Sequence, residues 1–487
     1  MQREVMRRNE FLDPTLFGND AGEDENIERL NEYYLSKPEH DIFFHPNVRL
    51  QFVRARKGIG KSALLCYTAY QVQKDNPDDI IINIKASDLI ALFNSNPSNA
   101  LEYINCWQQR ICTRVNLELG KKIHFAFSDD SMALVESAEL ANFKGKNIIS
   151  ALLNRINVST DLATVTLSKP SIQDNYALLK RYSENQNHKV WLFIDDIDAT
   201  FIDTPENRLL VSTFFSACRE LTNNVKGINI RASIRTDVWS LICIDEALDK
   251  CEQYMLDLSW STNDTGKILC KKILSYYKEK QPNSPYCVYQ ERENFDDIYN
   301  IIFNKTLRWG TKSVKPYRPI HILSAGRPRW AAQLCKIAAK DAYSKSYSYI
   351  NNGNINFAMN EYGKYRLADL YKEHNHQCDS LEDIIESFRN NRTEYRSNDL
   401  INHINEHVLS TISNVTIDNV ITSDALHIAK FLYRIGFITL RNDEYNKAVG
   451  FTRFEDAPNL LIPANYNEAD LWIVHPAYRT ILNLHDE

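Results

Sequence analysis

Residue types that could hold a chain of phosphates stand together at Ala55-Arg56-Lys57-Gly58-Ile59-Gly60-Lys61-Ser62. Glycines let a backbone turn so that several N–H groups point at one anion. A helix that starts at such a turn adds the partial positive charge of its N-terminus. Lys61 would reach the terminal phosphates as a point charge, and the Ser62 hydroxyl would ligate Mg²⁺. The pattern GxxxxGK[ST], set between a strand and a helix, is matched at its last three positions, with Ala55 where the first glycine is usual. Lys57, Gly58, Ile59, Gly60, Lys61, Ser62 and Ala63 are the candidate nucleotide contacts.

A second constellation is Val190-Trp191-Leu192-Phe193-Ile194-Asp195-Asp196-Ile197-Asp198. An apolar strand that ends in acids delivers carboxylates to its C-terminal edge, where α/β proteins bind ligands. Asp195 is the expected Mg²⁺ ligand, acting through water. Asp196 takes the position of the catalytic carboxylate that orients an attacking water. It is one methylene shorter than a glutamate, so hydrolysis is expected to be slow or to need a conformational change. Asp198 is a second candidate, or else a helix cap, as is Thr204 ahead of Pro205.

Two arginine motifs follow. Ile228 to Ile234 reads as a strand with Arg235 just past its end, and Arg235 or Ser233 is placed to sense a γ-phosphate. Arg231 is expected to face solvent or to pair with an acid. Gly326-Arg327-Pro328-Arg329-Trp330 opens a helix running to about Ala342. Arginines at a helix start oppose its dipole and so suggest a bound anion; Pro328 and Arg329 join the candidate nucleotide contacts. From Ile298 to Lys340 there is no acid but nine Lys or Arg. That stretch reads as phosphate sensing, as nucleic-acid contact, or as a solvated face balanced by acids elsewhere. His374-x-His376-x-Cys378 lacks a second ligand pair at metal spacing and reads as a solvated loop.

The elements that must position these groups alternate between strand and helix. Strands are expected at Val48–Val53, Ile80–Ile84, Val190–Ile194, Ile228–Ile234 and Tyr254–Leu258, and helices at Lys61–Val72 and Leu209–Leu221. This alternation implies a parallel sheet with helices on both faces. The pattern divides as a lead-in over 1–47, a P-loop core over 48–262 with a helical insertion at 88–187, a helical lid over 263–375, and a winged-helix-like module over 376–487. The last rests on a helix at Asp424–Ile435, a turn at Gly436, a strand at Phe437–Leu440, another at Leu471–Val474, and a final helix from His475-Pro476. The fold class is therefore α/β, a P-loop NTPase sheet followed by helical and winged-helix-like parts.

A chain of 487 residues exceeds one compact core. The net charge of −6 argues against a protein that coats nucleic acid, so any such binding needs a local patch. Ten cysteines at scattered spacings suggest reduced thiols in a cytoplasmic protein. No apolar run reaches 18 residues and the first twelve carry charges of both signs, so neither membrane span nor signal peptide is expected.

Taken in order, Arg56-Lys57-Gly58-Ile59-Gly60-Lys61-Ser62, Phe193-Ile194-Asp195-Asp196-Ile197-Asp198, Arg235-Thr236-Asp237 and Gly326-Arg327-Pro328-Arg329 resemble a bacterial family of orphan P-loop ATPases related to the AAA+ and STAND classes. The resemblance covers about residues 15 to 345. It implies ATP and Mg²⁺ as cofactors, a Gly-x-Pro turn whose proline packs near the nucleotide, and a nucleotide-driven switch. It further implies assembly with itself or with a separate effector protein, often in defence against phage. A DNA-associated ATPase that uses the winged helix and the basic stretch is the alternative. No guanine-reading motif is evident.

Overall fold

The computed structural model describes residues 8–20, 22–90, 97–122, five positions between 131 and 138, 175–184, 187–290, 293–309, 312–412, 414–442 and 450–486. Most of the expected insertion at 88–187 lies outside the described residues.

The central sheet is made of β1 (Leu50–Arg54), β2 (Ile80–Lys85), β3 (Val190–Asp195), β4 (Ile228–Ile234) and β5 (Met255–Asp257), in the order β2-β3-β4-β1-β5. Every pairing in it is parallel. Strands buried on both faces read as continuous apolar runs. This is why Val190–Ile194 and the β4 run are legible in sequence, and β4 is buried along its whole length. The register sets Arg54 opposite Ile234 and Lys85 opposite Asp195, so the carboxyl ends of β1, β3 and β4 finish together. The phosphate-loop strand and the acid-bearing strand are separated only by β4. Ligands of open α/β sheets bind at that carboxyl edge.

Ahead of the sheet lies the short helix α1 (Ile27–Tyr33), capped by the Asn26 side chain. Next to it packs α2 (Lys61–Asp75), the helix after the glycine turn. Leu30, Tyr34, Phe43, Leu64, Leu65, Trp191 and Phe193 join on this side in one core. On the other face lie α3 (Ala100–Lys122), α4 (Asn175–Glu184), α5 (Pro205–Asn224) and α6 (Thr236–Ile242), packed around Phe52, Trp107, Phe214 and Phe215. Thr204 caps α5 by accepting from the Asn207 N–H at 3.3 Å, with Pro205 at the first helical position.

A helical unit follows: α7 (Thr262–Lys280), α8 (Phe295–Ile302), α9 (Tyr317–Leu323), α10 (Pro328–Ser344) and α11 (Asn352–His374). A small hairpin, β6 (Leu307–Trp309) and β7 (Lys312–Val314), projects from it. Its core takes in Phe11, Leu16 and Phe17, so residues 11–17 are packed into the lid.

The last module contains α12 (Leu381–Glu386), β8 (Glu394–Arg396), α13 (Ser397–His403), the hairpin β9 (Val415–Ile417) and β10 (Val420–Thr422), α14 (Ala425–Arg434), β11 (Ile438–Asn442), β12 (Gly450–Thr452) and β13 (Leu471–Val474). The sheet order β12-β11-β13-β8 is antiparallel throughout and places helices before and between its strands as a winged helix does. Gly436 has φ +75°, a left-handed turn between α14 and β11.

Two sequence expectations are overturned here. Arg231 neither faces solvent nor pairs with an acid. It is fully buried and donates to the carbonyls of Phe43 (2.8 Å), Ile230 (3.0 Å) and Val48 (2.7 Å), with its guanidinium over the Trp191 ring. It lies on a strand buried on both faces, so only a backbone-lined pocket can hold it. His374-x-His376-x-Cys378 is no solvated loop either. His374 and Cys378 are buried, and His376 bonds through Nε2 to the Phe201 carbonyl at 2.9 Å. The polar look of the segment reflects its docking onto the loop after β3.

Candidate nucleotide-binding site

The turn between β1 and α2 has its two glycines in left-handed conformations, Gly58 at φ +81° and Gly60 at φ +117°. Gly60 is the N-cap of α2 and offers no side chain, so nothing local covers the first N–H groups of the helix. That combination is an anion cradle by construction. Ala55 at the first motif position is not in a left-handed conformation and sits 2% exposed in the core. The departure from glycine therefore strains nothing. Lys61 is buried, and its Nζ donates to the Ala55 carbonyl at 2.9 Å, folding the lysine back across its own loop. Trp260, just past β5, donates from its indole N–H to the Ile59 carbonyl at 2.7 Å and fixes the loop from the other side.

The acids of β3 separate by role. Asp195 accepts from the Ser233 hydroxyl, so the ends of β3 and β4 are tied next to the cradle. Asp196 has φ +61° and is exposed. Asp198 is 2% exposed and accepts from the Arg235 N–H at 2.7 Å. Burial pushes its carboxyl up to about 6, against the pull of Arg235 and Lys61. A general base must touch water; Asp196 can, whereas Asp198 holds the backbone at the end of β4.

Arg235 is buried and already engaged. Its Nε donates to Asp237 Oδ1 at 3.2 Å, and its Nη2 lies 3.4 Å from Glu373 Oε1 near the end of α11. Arg327 and Arg329 sit differently. A Cβ added at Gly58 would meet Arg327 Cδ at 3.6 Å and Arg329 Cβ at 3.7 Å, so the start of α10 lies directly over the loop. Pro328 is the first residue of α10 and supplies its fixed φ. Arg327 is buried and Arg329 half-buried; the Nε atom of each is buried without a hydrogen-bond partner, and the Arg327 guanidinium lies 3.9 Å from the centroid of the Trp330 ring. Burial, with Arg56 nearby, depresses the Arg327 pKa. Two cations with unsatisfied, buried Nε–H groups beside a glycine cradle fit an anionic ligand.

Three features of the site carried no sequence signal strong enough to find. The first is the N-terminal segment. Asp20 bonds Lys336 Nζ at 2.7 Å and Gln333 Nε2 at 2.9 Å on α10, and a Cβ on Gly22 would stand 2.6 Å from the Ala63 Cβ. The segment therefore straps α2 to α10. The second is Glu455 of the winged helix, which accepts from Arg56 Nε at 2.9 Å, while Arg56 Nη2 reaches the Arg434 carbonyl at 3.0 Å. The third is Glu373. All three are long-range pairings across modules, which periodicity cannot report.

A cleft of about 1390 Å³ opens beside the loop, between the ends of β1 and β5, the lid and the winged helix. Ile59, Trp239, Trp260, Arg327, Arg453 and His475 are among its lining. His475 is held neutral, its pKa lowered to about 3 by burial and by Arg327 and Arg453. Among the described residues no group of three or more His, Cys, Asp or Glu could hold a metal ion unaided. Mg²⁺ takes oxygen ligands, and the oxygen donors offered at this edge are the Ser62 hydroxyl at the start of α2 and the Asp195 carboxylate at the end of β3.

Sheet order, cradle and acid-bearing strand define a P-loop NTPase fold with a winged helix behind it. No family model matches the sequence, and no curated protein matches it. Among solved structures the chain is similar to the ORC2 protein of Aeropyrum pernix in its ADPNP–ADP complexes, at 12% identity over 88% of this chain and 85% of that one, with a TM-score of 0.39. It is also similar to the Aeropyrum pernix ORC1 protein in complex with DNA, at 11% identity over 99% and 98% of the two chains, with a TM-score of 0.38. Cdc6p from Pyrobaculum aerophilum matches at 11% identity over 94% and 98%, with a TM-score of 0.32.

Proposed function

We propose that this chain is an ATP-binding, slowly ATP-hydrolysing switch that changes its contacts with itself or with a partner effector according to the nucleotide held. The observation that carries the reading is the pair of arginines, Arg327 and Arg329, whose buried Nε–H groups have no hydrogen-bond partner and which lie over a glycine cradle whose helix start is uncapped. Lys57, Gly58, Ile59, Gly60, Lys61, Ser62 and Ala63 hold the phosphates, with Pro328 and Arg329 closing from the lid. Lys61 exchanges its bond to Ala55 for the phosphate chain. Asp195 and Ser62 hold Mg²⁺, which when bound neutralises charge on the phosphate oxygens. Asp196, the exposed carboxylate at the strand end, orients the attacking water, and Arg235 senses the γ-phosphate. The cleft beside the loop has room for base and ribose. The setting in phage defence rests on the sequence resemblance alone.

A switch needs an element that can occupy two positions. The winged helix supplies it. It is latched to the phosphate loop itself through Arg56–Glu455, and to the loop after β3 through Asp418, which accepts from the Asp203 N–H at 3.1 Å. A DNA-associated ATPase is the second reading, favoured by the winged helix. Here, however, Arg434 of α14 pairs with Asp418 at 2.6 Å and lies 3.6 Å from Asp203 of the core. That face of α14 is committed within the chain.

Steady-state ATP turnover separates the two readings. The switch predicts slow hydrolysis, abolished by Lys61→Ala, cut at least about a hundredfold by Asp196→Asn, and indifferent to double-stranded DNA. Turnover strongly stimulated by DNA would establish the second reading. Turnover that survives Lys61→Ala would remove both.

A further inference from the structure

Glu373 is an acid in the wrong place for a helix. It is the penultimate residue of α11, where the macrodipole disfavours negative charge. It is also buried, its side chain 9% exposed. Burial drives its carboxyl up, yet the cations nearby, Arg235 first and then Arg327 and Lys57, outweigh that and hold it at about 2. Arg235, Arg327 and Lys57 are the cations that the phosphate-site reading assigns to nucleotide. The contact with Arg235 is a 3.4 Å ion pair, and Arg235 keeps Asp237 as a second partner if Glu373 leaves. Immediately beyond Glu373, His376 and Gln377 both bond the Phe201 carbonyl, at 2.9 and 3.0 Å, on the loop that follows the acid-bearing strand.

We infer that Glu373 is a built-in stand-in for the terminal phosphate: its carboxylate pairs with Arg235, and a nucleoside triphosphate must displace it, freeing the end of α11 and the winged helix beyond. The inference rests on the phosphate-site reading and adds its regulation. An internal anion that competes with the γ-phosphate lowers triphosphate affinity by the fraction of molecules in which Arg235 is free of it. A diphosphate, which brings no γ-phosphate to Arg235, leaves Glu373 in place. The device therefore sets the ratio of the two affinities, and it couples γ-phosphate binding to the joint between lid and winged helix.

The test is calorimetric binding of ADP and of a non-hydrolysable ATP analogue, each with Mg²⁺, to the full chain and to Glu373→Gln. The amide keeps the shape and removes the charge. We expect the triphosphate Kd to fall about tenfold or more while the ADP Kd moves less than about threefold. A merely structural ion pair predicts otherwise: both affinities unchanged, or both weakened together, either of which overturns the inference while leaving the nucleotide site intact. Should Glu373→Gln fail to fold, Glu373→Asp retains the charge but draws it back by one methylene. It must shift the ratio the same way by a smaller factor, and an unchanged ratio there counts against the inference. If the wild-type chain binds neither nucleotide, the phosphate-site reading falls and this inference with it.

Discussion

Arg231 shows how a single residue can be readable in kind and misread in role. A cation in the middle of an apolar strand looks like a group bound for solvent. Its guanidinium is instead spent on backbone carbonyls left open before β1, and burial pulls its pKa down to about 9. Removing it leaves those carbonyls buried without a donor, at roughly 1–3 kcal/mol for each group. Arg231→Met is therefore expected to destabilise the chain by about 2–4 kcal/mol, measured as a shift in urea midpoint without a change in slope. A loss under about 0.5 kcal/mol would mean that the carbonyls find other donors. The residues of the phosphate loop were legible because their chemistry fixes both type and spacing. Glu373 and Glu455 were not, because one acid among 63 Asp and Glu carries no mark of the cation it meets far along the chain.

At the level of elements, sequence and structure agree where one physical cause dominates. Val190–Ile194 and Leu471–Val474 are apolar runs that only a buried strand accommodates, and both form strands. The helix after Gly60 and the helix opened by Pro328 follow from the turn residues before them. What periodicity could not tell is how the winged helix sits. That depends on Arg56, whose charged form burial opposes but Glu455 and Asp237 strongly favour. The pair is side-chain buried at 12% exposure on each partner, so breaking it strands a charge. Arg56→Ala leaves Glu455 alone against the loop and is expected to loosen the module. Amide exchange in α14 and β11 should quicken about tenfold or more, with the central sheet unchanged. Equal exchange in both proteins would show that the latch contributes nothing.

Across the whole molecule, buried neutral histidines set the response to acid. Burial lowers the pKa of His40 and His403 to about 4 and of His374 and His475 to about 3. In the unfolded chain they titrate near 6.5, so below that value the unfolded state binds more protons and stability is lost as pH falls. Asp198, raised to about 6, works the other way: its proton is held more tightly when folded, so its contribution improves as pH falls through 6. Four histidines at about 1 kcal/mol each outweigh one aspartate between pH 7.5 and 5.5. The urea midpoint should therefore drop over that interval. A midpoint that held or rose would mean that these histidines are hydrated in solution. No helix among the described residues is long and apolar enough to cross a membrane. The strap, the latch and Glu373 all tie the lid and winged helix to the sheet edge where the phosphate loop sits. That arrangement makes sense if a nucleotide is what rearranges them. Titration of the full chain with ATP and Mg²⁺, monitored by calorimetry beside Lys61→Ala, tests that claim most directly. We expect one saturable site in the wild-type chain and its loss in a variant that melts at a similar temperature. Equal binding by both proteins, or binding by neither, would contradict that claim.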